Sequence, residues 1–401
     1  MLDLEIVPER SLGCDTWEFV LGMHFSQSVA IIQSQVGTIR GVQVLYSDQN
    51  PLSVDLVINM PQDGIRLIFD PVAQRLKIIE IYNMKLVKLR YSGMCFNSPE
   101  ITPSIEQVEH CFGATHPGLY DSQRHLFALN FRGLSFYFPV DSKFEPGYAH
   151  GLGSLQFPNG GSPVVSRTTI YYGSQHQLSS SSSGRCAAPL PELPLSCYRQ
   201  QLHLRRCDVL RSPAATLALR LHMYTEGKHH YCEVMLAWYF CIPLDSTCAD
   251  NGIPVTDMLQ FNYFTLGLDV LFDARTHRVK KFVLHTNYPG HYNFNMYHRC
   301  EFELTVQPDK CESNTLVESR GAVTITAYSK WETVSRALRV CERPVVLNRA
   351  SSTNTTNPFG STFCYGYQDI IFEVMSNNYI ASITLYQPEG TRPHYAVNSI
   401  A

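Results

Sequence analysis

The densest concentration of chemically capable side chains is HTNYPGHYNFNMYHRC, residues 285–300. His285, His291, His298 and Cys300 are of the types that ligate zinc, because imidazole nitrogen and thiolate sulfur both suit that ion. Their separations of six, seven and two residues fit no standard zinc module. The favoured reading is an aromatic-rich loop between two strands, with Pro289–Gly290 turning its tip and no metal assigned. A metal-dependent enzyme built on this cluster is the catalytic alternative. His229-His230-Tyr231-Cys232 offers the same chemistry in shorter form and reads as a surface turn. Asp70 and Asp273 could pair for acid–base work if they faced each other. An Asp at a strand end more often caps a turn through its own backbone.

No G-x-S-x-G elbow, P-loop, H-E-x-x-H or paired Gly-rich dinucleotide loop occurs. GYAHGLGSLQF (147–157) holds three glycines but precedes no credible helix, so a phosphate cradle is not expected. Cys111, Cys341 and Cys364 lie in or beside apolar segments and read as small hydrophobes without a redox role. RASSTNTTNPFGSTFCYGY (349–367) contains an Asn-Pro-Phe triplet that resembles an endocytic sorting signal; a turn leading into a strand is favoured. Lys77, Lys85, Lys88 and Arg90, and separately Arg278, Lys280 and Lys281, are small basic groups that could meet phosphoinositide head groups. Solvated strand edges explain them equally well.

An internal repeat supplies the elements that hold these residues. Residues 63–84, DGIRLIFDPVAQRLKIIEIYNM, align without gaps with residues 266–287, LGLDVLFDARTHRVKKFVLHTN. Gly64 meets Gly267, Phe69 meets Phe272, Asp70 meets Asp273 and Lys77 meets Lys280. Apolar runs flank a polar centre, which predicts a β-hairpin. Weaker copies occur at 131–138 and 370–386. Helices are predicted upstream of three hairpins. The first has a stripe of Phe25, Val29 and Ile32. The second opens at Thr102-Pro103, carries Ile105, Val108 and Phe112, and is capped by Gly113. The third has a Ser329–Glu332 capping box and a Trp331, Val334, Leu338 stripe. The third repeat unit, around residues 222–260, shows no such helix, so its hairpin is expected to expose an apolar face.

Neither an amphipathic helix nor a two-faced hairpin buries itself alone, so the units should share sheets. The expected fold is α+β: degenerate helix-plus-β-hairpin repeats packed as mostly antiparallel sheets in two halves. Residues 1–172 form the first half, a Ser/Pro-rich linker spans 173–197, the second half covers 198–390, and 391–401 is a tail.

Composition narrows the function. The chain has 401 residues, with 32 Lys plus Arg against 35 Asp plus Glu. That near-balance argues against a nucleic-acid surface. Charged residues are 17 %, below the roughly 25 % of average domains, while aromatics reach 11 %. The 13 cysteines include no C-x-x-C pair and read as free thiols in a reducing compartment. MLDLEIVPERSLG lacks the basic start and apolar core of a signal peptide. The longest apolar run, VMLAWYFCIPL (234–244), is shorter than the roughly 20 residues a spanning helix needs.

MLDLEIVPERSLG, VQVLYSDQNPLSVDL, FGATHPGLY, LNFRGLSF, the whole of 261–302 and TNPFGSTFCYGYQDIIFEVMSNNYIASITLY together resemble the phagosome assembly factor 1 family. The resemblance covers about 1–172 and 258–388; residues 222–258 depart from it, because the family carries a capped helix there. It implies a cytoplasmic, non-enzymatic scaffold in autophagy, without cofactor, recruited to the phagophore assembly site during autophagosome formation. It also implies pairing with a WD-repeat β-propeller protein, breast carcinoma amplified sequence 3, and phosphoinositide binding. Asn287, Tyr288, Pro289, Gly290, His291, Tyr292 and Phe294 are the expected partner contact, since aromatics are enriched at interface centres. Lys77, Lys85, Lys88, Lys280 and Lys281 are the expected head-group contacts. A lipid-binding or lipid-transfer module, with an apolar pocket, is the other rival.

Overall fold

The computed structural model describes residues 1–113, 118–121, 124–139, 163–173, 200–205, 218–225, 228–235, 258–273, 279–306, 322–348 and 360–386. The chain divides into two compact units, Met1–Leu193 and Pro194–Ala401. The expected linker (173–197) and tail lie almost wholly outside the described residues, as do the glycine-rich segment 147–157 and the Asn-Pro-Phe triplet.

In the first unit, β1 (Leu2–Val7), β2 (Ser11–Gly13) and β3 (Glu18–Val20) form a meander that leads into α1 (Phe25–Ser34). Four strands follow: β4 (Gln43–Leu45), β5 (Leu56–Met60), β6 (Ile65–Phe69) and β7 (Leu76–Ile81). A 3-10 turn at Met84–Leu86 leads to β8 (Val87–Tyr91), β9 (Met94–Asn97) and α2 (Ile105–Phe112). The unit continues with β10 (Leu119–Asp121), β11 (Leu126–Phe131), β12 (Leu134–Pro139) and β13 (Arg167–Tyr171). These strands make a five-stranded sheet, β3-β2-β1-β8-β9, and an eight-stranded sheet, β10-β11-β12-β13-β7-β6-β5-β4. Only β1 and β8 pair in parallel among the described strands of this unit.

The second unit begins with β14 (Gln200–Arg205), β15 (Ala218–Thr225) and β16 (Lys228–Met235). His229–Cys232 therefore lie in a strand rather than the expected surface turn. Next come β17 (Met258–Tyr263), β18 (Leu268–Asp273), β19 (Val279–His285), β20 (Glu301–Val306) and β21 (Val323–Thr326). Then follow α3 (Trp331–Leu338), β22 (Val345–Leu347), β23 (Thr362–Tyr367), β24 (Ile370–Val374) and β25 (Ile380–Tyr386). The sheet orders are β16-β15-β14-β20-β21 and β17-β18-β19-β25-β24-β23-β22, with β14 and β20 parallel. Both units thus join a three-stranded meander to a later strand in parallel. Both also close a large sheet through one antiparallel junction, β7–β13 in the first and β19–β25 in the second. The fold is α+β, with mostly antiparallel sheets.

The apolar faces of these sheets meet the helices. In the second unit Leu268, Val270, Phe282, Leu284, Phe372 and Ile383 pack with Phe302, Leu304 and Ile325, and Trp331, Val334 and Leu338 of α3 cover them. In the first, Phe25 of α1 meets Phe69 edge-on at 5.1 Å, and Phe112 of α2 packs on Phe136 at 5.0 Å. Helix ends differ in detail from the sequence patterns. α1 is capped by the His24 side chain, which accepts from Ser26 N, and Gln27 reciprocates. Its buried stripe is Phe25, Ser28 and Ile32, with Val29 half-buried. Ser104, not Thr102-Pro103, caps α2. Ser329 makes no cap for α3, because its hydroxyl accepts from Thr326 N instead. Cys341 is exposed and Cys364 half-buried; only Cys111 of the three packs as a buried hydrophobe.

The outward face of the eight-stranded sheet carries a polar row. Register places Asn130, Ser135, Thr169, Glu80, Arg66, Asn59 and Gln43 opposite one another on successive strands. Glu80 is held from both sides by Arg66 and Arg167, each at 3.3 Å.

The aligned glycines share one conformation. Gly64 and Gly267 both sit at φ 66°, and a bulge falls at the same place in each hairpin, between Ile68 and Phe69 and between Leu271 and Phe272. At Gly267 an added Cβ would lie 2.3 Å from the His298 carbonyl oxygen and 2.7 Å from the Cys300 nitrogen. Gly93 has φ 77° but nothing within 4 Å of such a Cβ. Gly93→Ala should therefore cost about 1 kcal/mol, from left-handed strain alone. Gly267→Ala should cost about 3 kcal/mol or more, because backbone must also move. Urea unfolding of the two variants checks the difference; equal costs would show that the 298–300 backbone does not press on Gly267.

Candidate functional site

The connection from β19 to β20, residues 286–300, is about three times as long as the corresponding connection from β7 to β8, residues 82–86. It is anchored along its length. The Thr286 hydroxyl donates to the carbonyls of Ile380 and Ala381 at 2.7 and 2.8 Å. Asn287, at φ 52°, accepts from Asn295 N at 2.9 Å, closing the loop on itself. Tyr288 is fully buried, donates its hydroxyl to the Ala327 carbonyl at 3.0 Å, and lies 4.8 Å from the Tyr379 ring. The Arg299 guanidinium sits 4.9 Å over the Tyr288 ring, and its Nε donates to the Thr286 carbonyl.

Beneath the loop runs a buried polar chain. Strand register sets Glu373, Ser382 and His285 in one cross-strand row on β24, β25 and β19. Asp269 of β18 stands diagonally beside His285, and its carboxylate meets His285 Nε2 at 2.8 Å. The other ring nitrogen of His285 is 3.3 Å from the Asn293 amide nitrogen, and the Asn293 amide oxygen meets His291 Nδ1. His291 Nε2 faces Glu373 at 3.2 Å, and Glu373 also accepts from Ser382 and Thr362. Tyr297 stacks on His285 at 3.9 Å.

Burial sets the electrostatics. It pushes the Tyr288, Tyr297 and Cys300 side chains well above their ordinary ranges, with the Asp269 carboxylate adding to the effect at Tyr297. For Glu373, burial acts upward, but the His291, Ser382 and Thr362 contacts outweigh it and hold the carboxyl at about 2. Cys300 is therefore a neutral thiol. The two buried imidazoles are engaged by Asp269, Asn293 and Glu373. Among the described residues no group of three or more His, Cys, Asp or Glu side chains could hold a metal ion.

The structure sorts the expected contact residues. Asn287, Tyr288, Pro289 and His291 are buried, Gly290 and Phe294 are half-buried, and only Tyr292 is exposed. Two further apolar side chains are exposed: Met296 of the loop, and Phe264 from the β17–β18 turn, whose ring is 5.1 Å from Tyr297. The basic groups are largely paired. Lys77 bonds Asp55 at 2.6 Å, and Lys88 and Arg90 share Asp3. Lys85 is exposed on the 3-10 turn, while Lys280 and Lys281 are half-buried on β19. Asp70 caps its turn by accepting from Val72 N and Ala73 N. Sequence reasoning did not single out Asp269, Asn293 or Glu373. The available signal was an acid flanked by apolar residues in each of two strands, Asp269 in LDVLFD and Glu373 in IIFEV.

Tyr288→Ala should cost about 3–5 kcal/mol, as loss of a buried aromatic does, with reduced recovery of folded protein. Glu373→Gln should cost about 3 kcal/mol at neutral pH. The wild-type carboxyl contributes above the unfolded-chain range of roughly 4.3, and that contribution is lost as pH falls toward about 2. Wild type should lose stability on acidification across that window more steeply than the variant. Denaturant titrations at several acidic pH values give the comparison, and parallel curves would sink the assignment.

Residues 15–251 and 253–386 match the family described as Phagosome assembly factor 1. The match runs through 222–258, where the sequence alone reads as a departure. A PHAF1 protein of Drosophila melanogaster is 58 % identical over 96 % of this chain and 94 % of its own. PHAF1 proteins of Arabidopsis thaliana and Caenorhabditis elegans are 35 % and 31 % identical, over 94 % and 95 % of this chain and 92 % and 93 % of theirs. No solved structure matches. No helix among the described residues is long and apolar enough to cross a membrane. With a family match along most of its length and relatives aligned nearly end to end, the chain belongs to the phagosome assembly factor 1 family.

Proposed function

We propose that this protein is a non-catalytic assembly factor of autophagosome formation, a cytoplasmic scaffold that joins a WD-repeat β-propeller partner, breast carcinoma amplified sequence 3, at the phagophore assembly site. The observation that carries the reading is the 286–300 loop. His285 at its base and His291 within it, which sequence alone offers to a metal, are spent on buried hydrogen bonds, and Tyr292 and Met296 are exposed on that base. The loop's single Asp, Glu, Lys or Arg, Arg299, is buried, so its surface is uncharged and aromatic, the composition of an interface centre. The proposed partner contact narrows to Tyr292, Met296 and Phe264, with Tyr288 and His291 as its support. Phosphoinositide contact is assigned to Lys85 and Lys281, which are open or partly open to solvent, whereas Lys77 and Lys88 face carboxylates. The matched strand orders of the two units also support a duplicated helix-plus-hairpin ancestry.

Affinity purification of the tagged full chain from nutrient-starved cells tests the reading. Wild type should recover the propeller protein in near-equal amount. Tyr292→Ala combined with Met296→Glu should cut recovery on the order of tenfold or more, with an unchanged melting temperature. Undiminished recovery by that stable variant would move the contact elsewhere.

A further inference from the structure

Equivalent positions of the two units carry different chemistry on the same sheet face. The 63–84 and 266–287 hairpins align Arg66 with Asp269 and Tyr82 with His285. Register carries the equivalence across the junction. Arg167 holds the place of Ser382, and Tyr137 stands opposite Arg167 as Glu373 stands opposite Ser382. In the second unit Asp269, His285, Ser382 and Glu373 are all buried, with the 286–300 loop above them. In the first unit the corresponding connection is only residues 82–86, and the side chains of Arg66 and Arg167 remain 42 % and 32 % exposed.

The open positions form a fixed pair of cationic forks. Arg66 lies 4.2 Å over the Tyr82 ring and Arg167 lies 4.2 Å over the Tyr137 ring, so stacking sets each guanidinium plane. Each gives Nη1 to one oxygen of Glu80, Arg66 to Oε2 and Arg167 to Oε1. A guanidinium has five N–H donors. Among the described residues these two meet no second acceptor, which leaves their Nε and Nη2 donors unspent. The Thr169 hydroxyl, beside Glu80 in the same row, is buried and has no hydrogen-bond partner among the described residues. Two cations around one carboxylate leave a surplus of one positive charge.

We propose that this face binds an acidic side chain, Asp or Glu, presented by a segment of a protein partner that lays an apolar or aromatic neighbour against the two tyrosine rings. Planar forks match a carboxylate bidentately. One carboxylate cancels the surplus charge, whereas the nearly two charges of a phosphate ester exceed it and meet repulsion from Glu80. An open sheet face gives a small molecule little enclosure, so the occupant is a segment that brings its own cover. Arginine and tyrosine are also the residue types that dominate binding energy at protein interfaces. The platform belongs to the first unit and does not rest on the contact proposed for Tyr292 and Met296.

A display library of short random peptides, selected on the full wild-type chain, supplies the probe. Selected peptides should share an Asp or Glu next to an aromatic or branched residue. Arg66→Gln combined with Arg167→Gln should weaken their binding about tenfold or more, and so should replacing the peptide's acid by its amide. Glu80→Gln distinguishes a binding role from a structural one. It removes the internal competitor and raises the surplus charge, so the same peptides should bind more tightly and with a steeper dependence on salt. Thermal unfolding identifies the folded variants, and Glu80→Gln carries the test alone if the double variant does not fold. Peptides without an acidic preference, undiminished binding by the folded double variant, or unchanged or weaker binding by folded Glu80→Gln would each overturn the proposal. A phosphoserine peptide that binds more than about tenfold tighter than its glutamate counterpart would overturn it too, by assigning the platform to phosphate.

Discussion

The pairing of β19 with β25 is the constraint on which the second unit depends. It joins a hairpin ending at His285 to a strand beginning at Ile380, and fixes their register at His285 opposite Ser382. Because side chains alternate with a period of two, that one register decides both faces at once. Inward, it aligns Leu284 and Phe282 with Ile383 and Leu385 for α3 to cover. Outward, it lines up Glu373, Ser382 and His285. A slip of one residue would put this polar row into the core and the apolar set under the loop, so pairing, core and candidate site stand or fall together.

The first unit solves a related problem with different chemistry. Its junction, β7 with β13, also brings an acid to the outward face, Glu80, beside Arg66 and Arg167. Those guanidiniums remain partly open to water and lie over Tyr82 and Tyr137. Arginine keeps its charge at any accessible pH, so this pairing is a fixed one. In the second unit the acid is compensated by imidazole beneath a loop that excludes solvent. Imidazole, unlike guanidinium, is a group that in general changes charge near neutral pH.

How far the sequence disclosed this depends on the distance each feature spans. The 63–84 and 266–287 hairpins are local, and alternation with a polar centre identifies them, down to the aligned Gly64 and Gly267. Helix positions came through because their apolar stripes are local as well. Their caps did not: His24, Ser104 and Lys330 take those places through choices between neighbouring residues that differ by about 1 kcal/mol. The sheet orders required knowing that β1 reaches β8 and β19 reaches β25, contacts with no local signature. The same applies to the site. The aromatic and histidine density of 285–300 marked the segment, but its inside and outside were decided by Glu373, some eighty residues away. Tyr288 and Tyr292 look alike in sequence; one reaches the Ala327 carbonyl and is buried, the other lays its ring 4.4 Å from that of His291 and stays exposed.

These features set what a loop so rich in catalytic residue types can do with them. Catalysis needs a side chain whose reactive atom is free to meet a substrate. Here the reactive atoms are consumed: His285 and His291 are bonded at both nitrogens, Cys300 is buried as a neutral thiol, and Tyr288 donates to a carbonyl. What such saturation gives is stiffness. A fully satisfied buried network specifies one arrangement of the backbone above it, because each alternative leaves a polar group without a partner in a medium of low dielectric. A stiff loop loses little conformational entropy on binding, which raises the affinity available from a small apolar contact. The same residues that would be reactive if exposed thus act, when buried, to hold the exposed side chains of the loop in one arrangement.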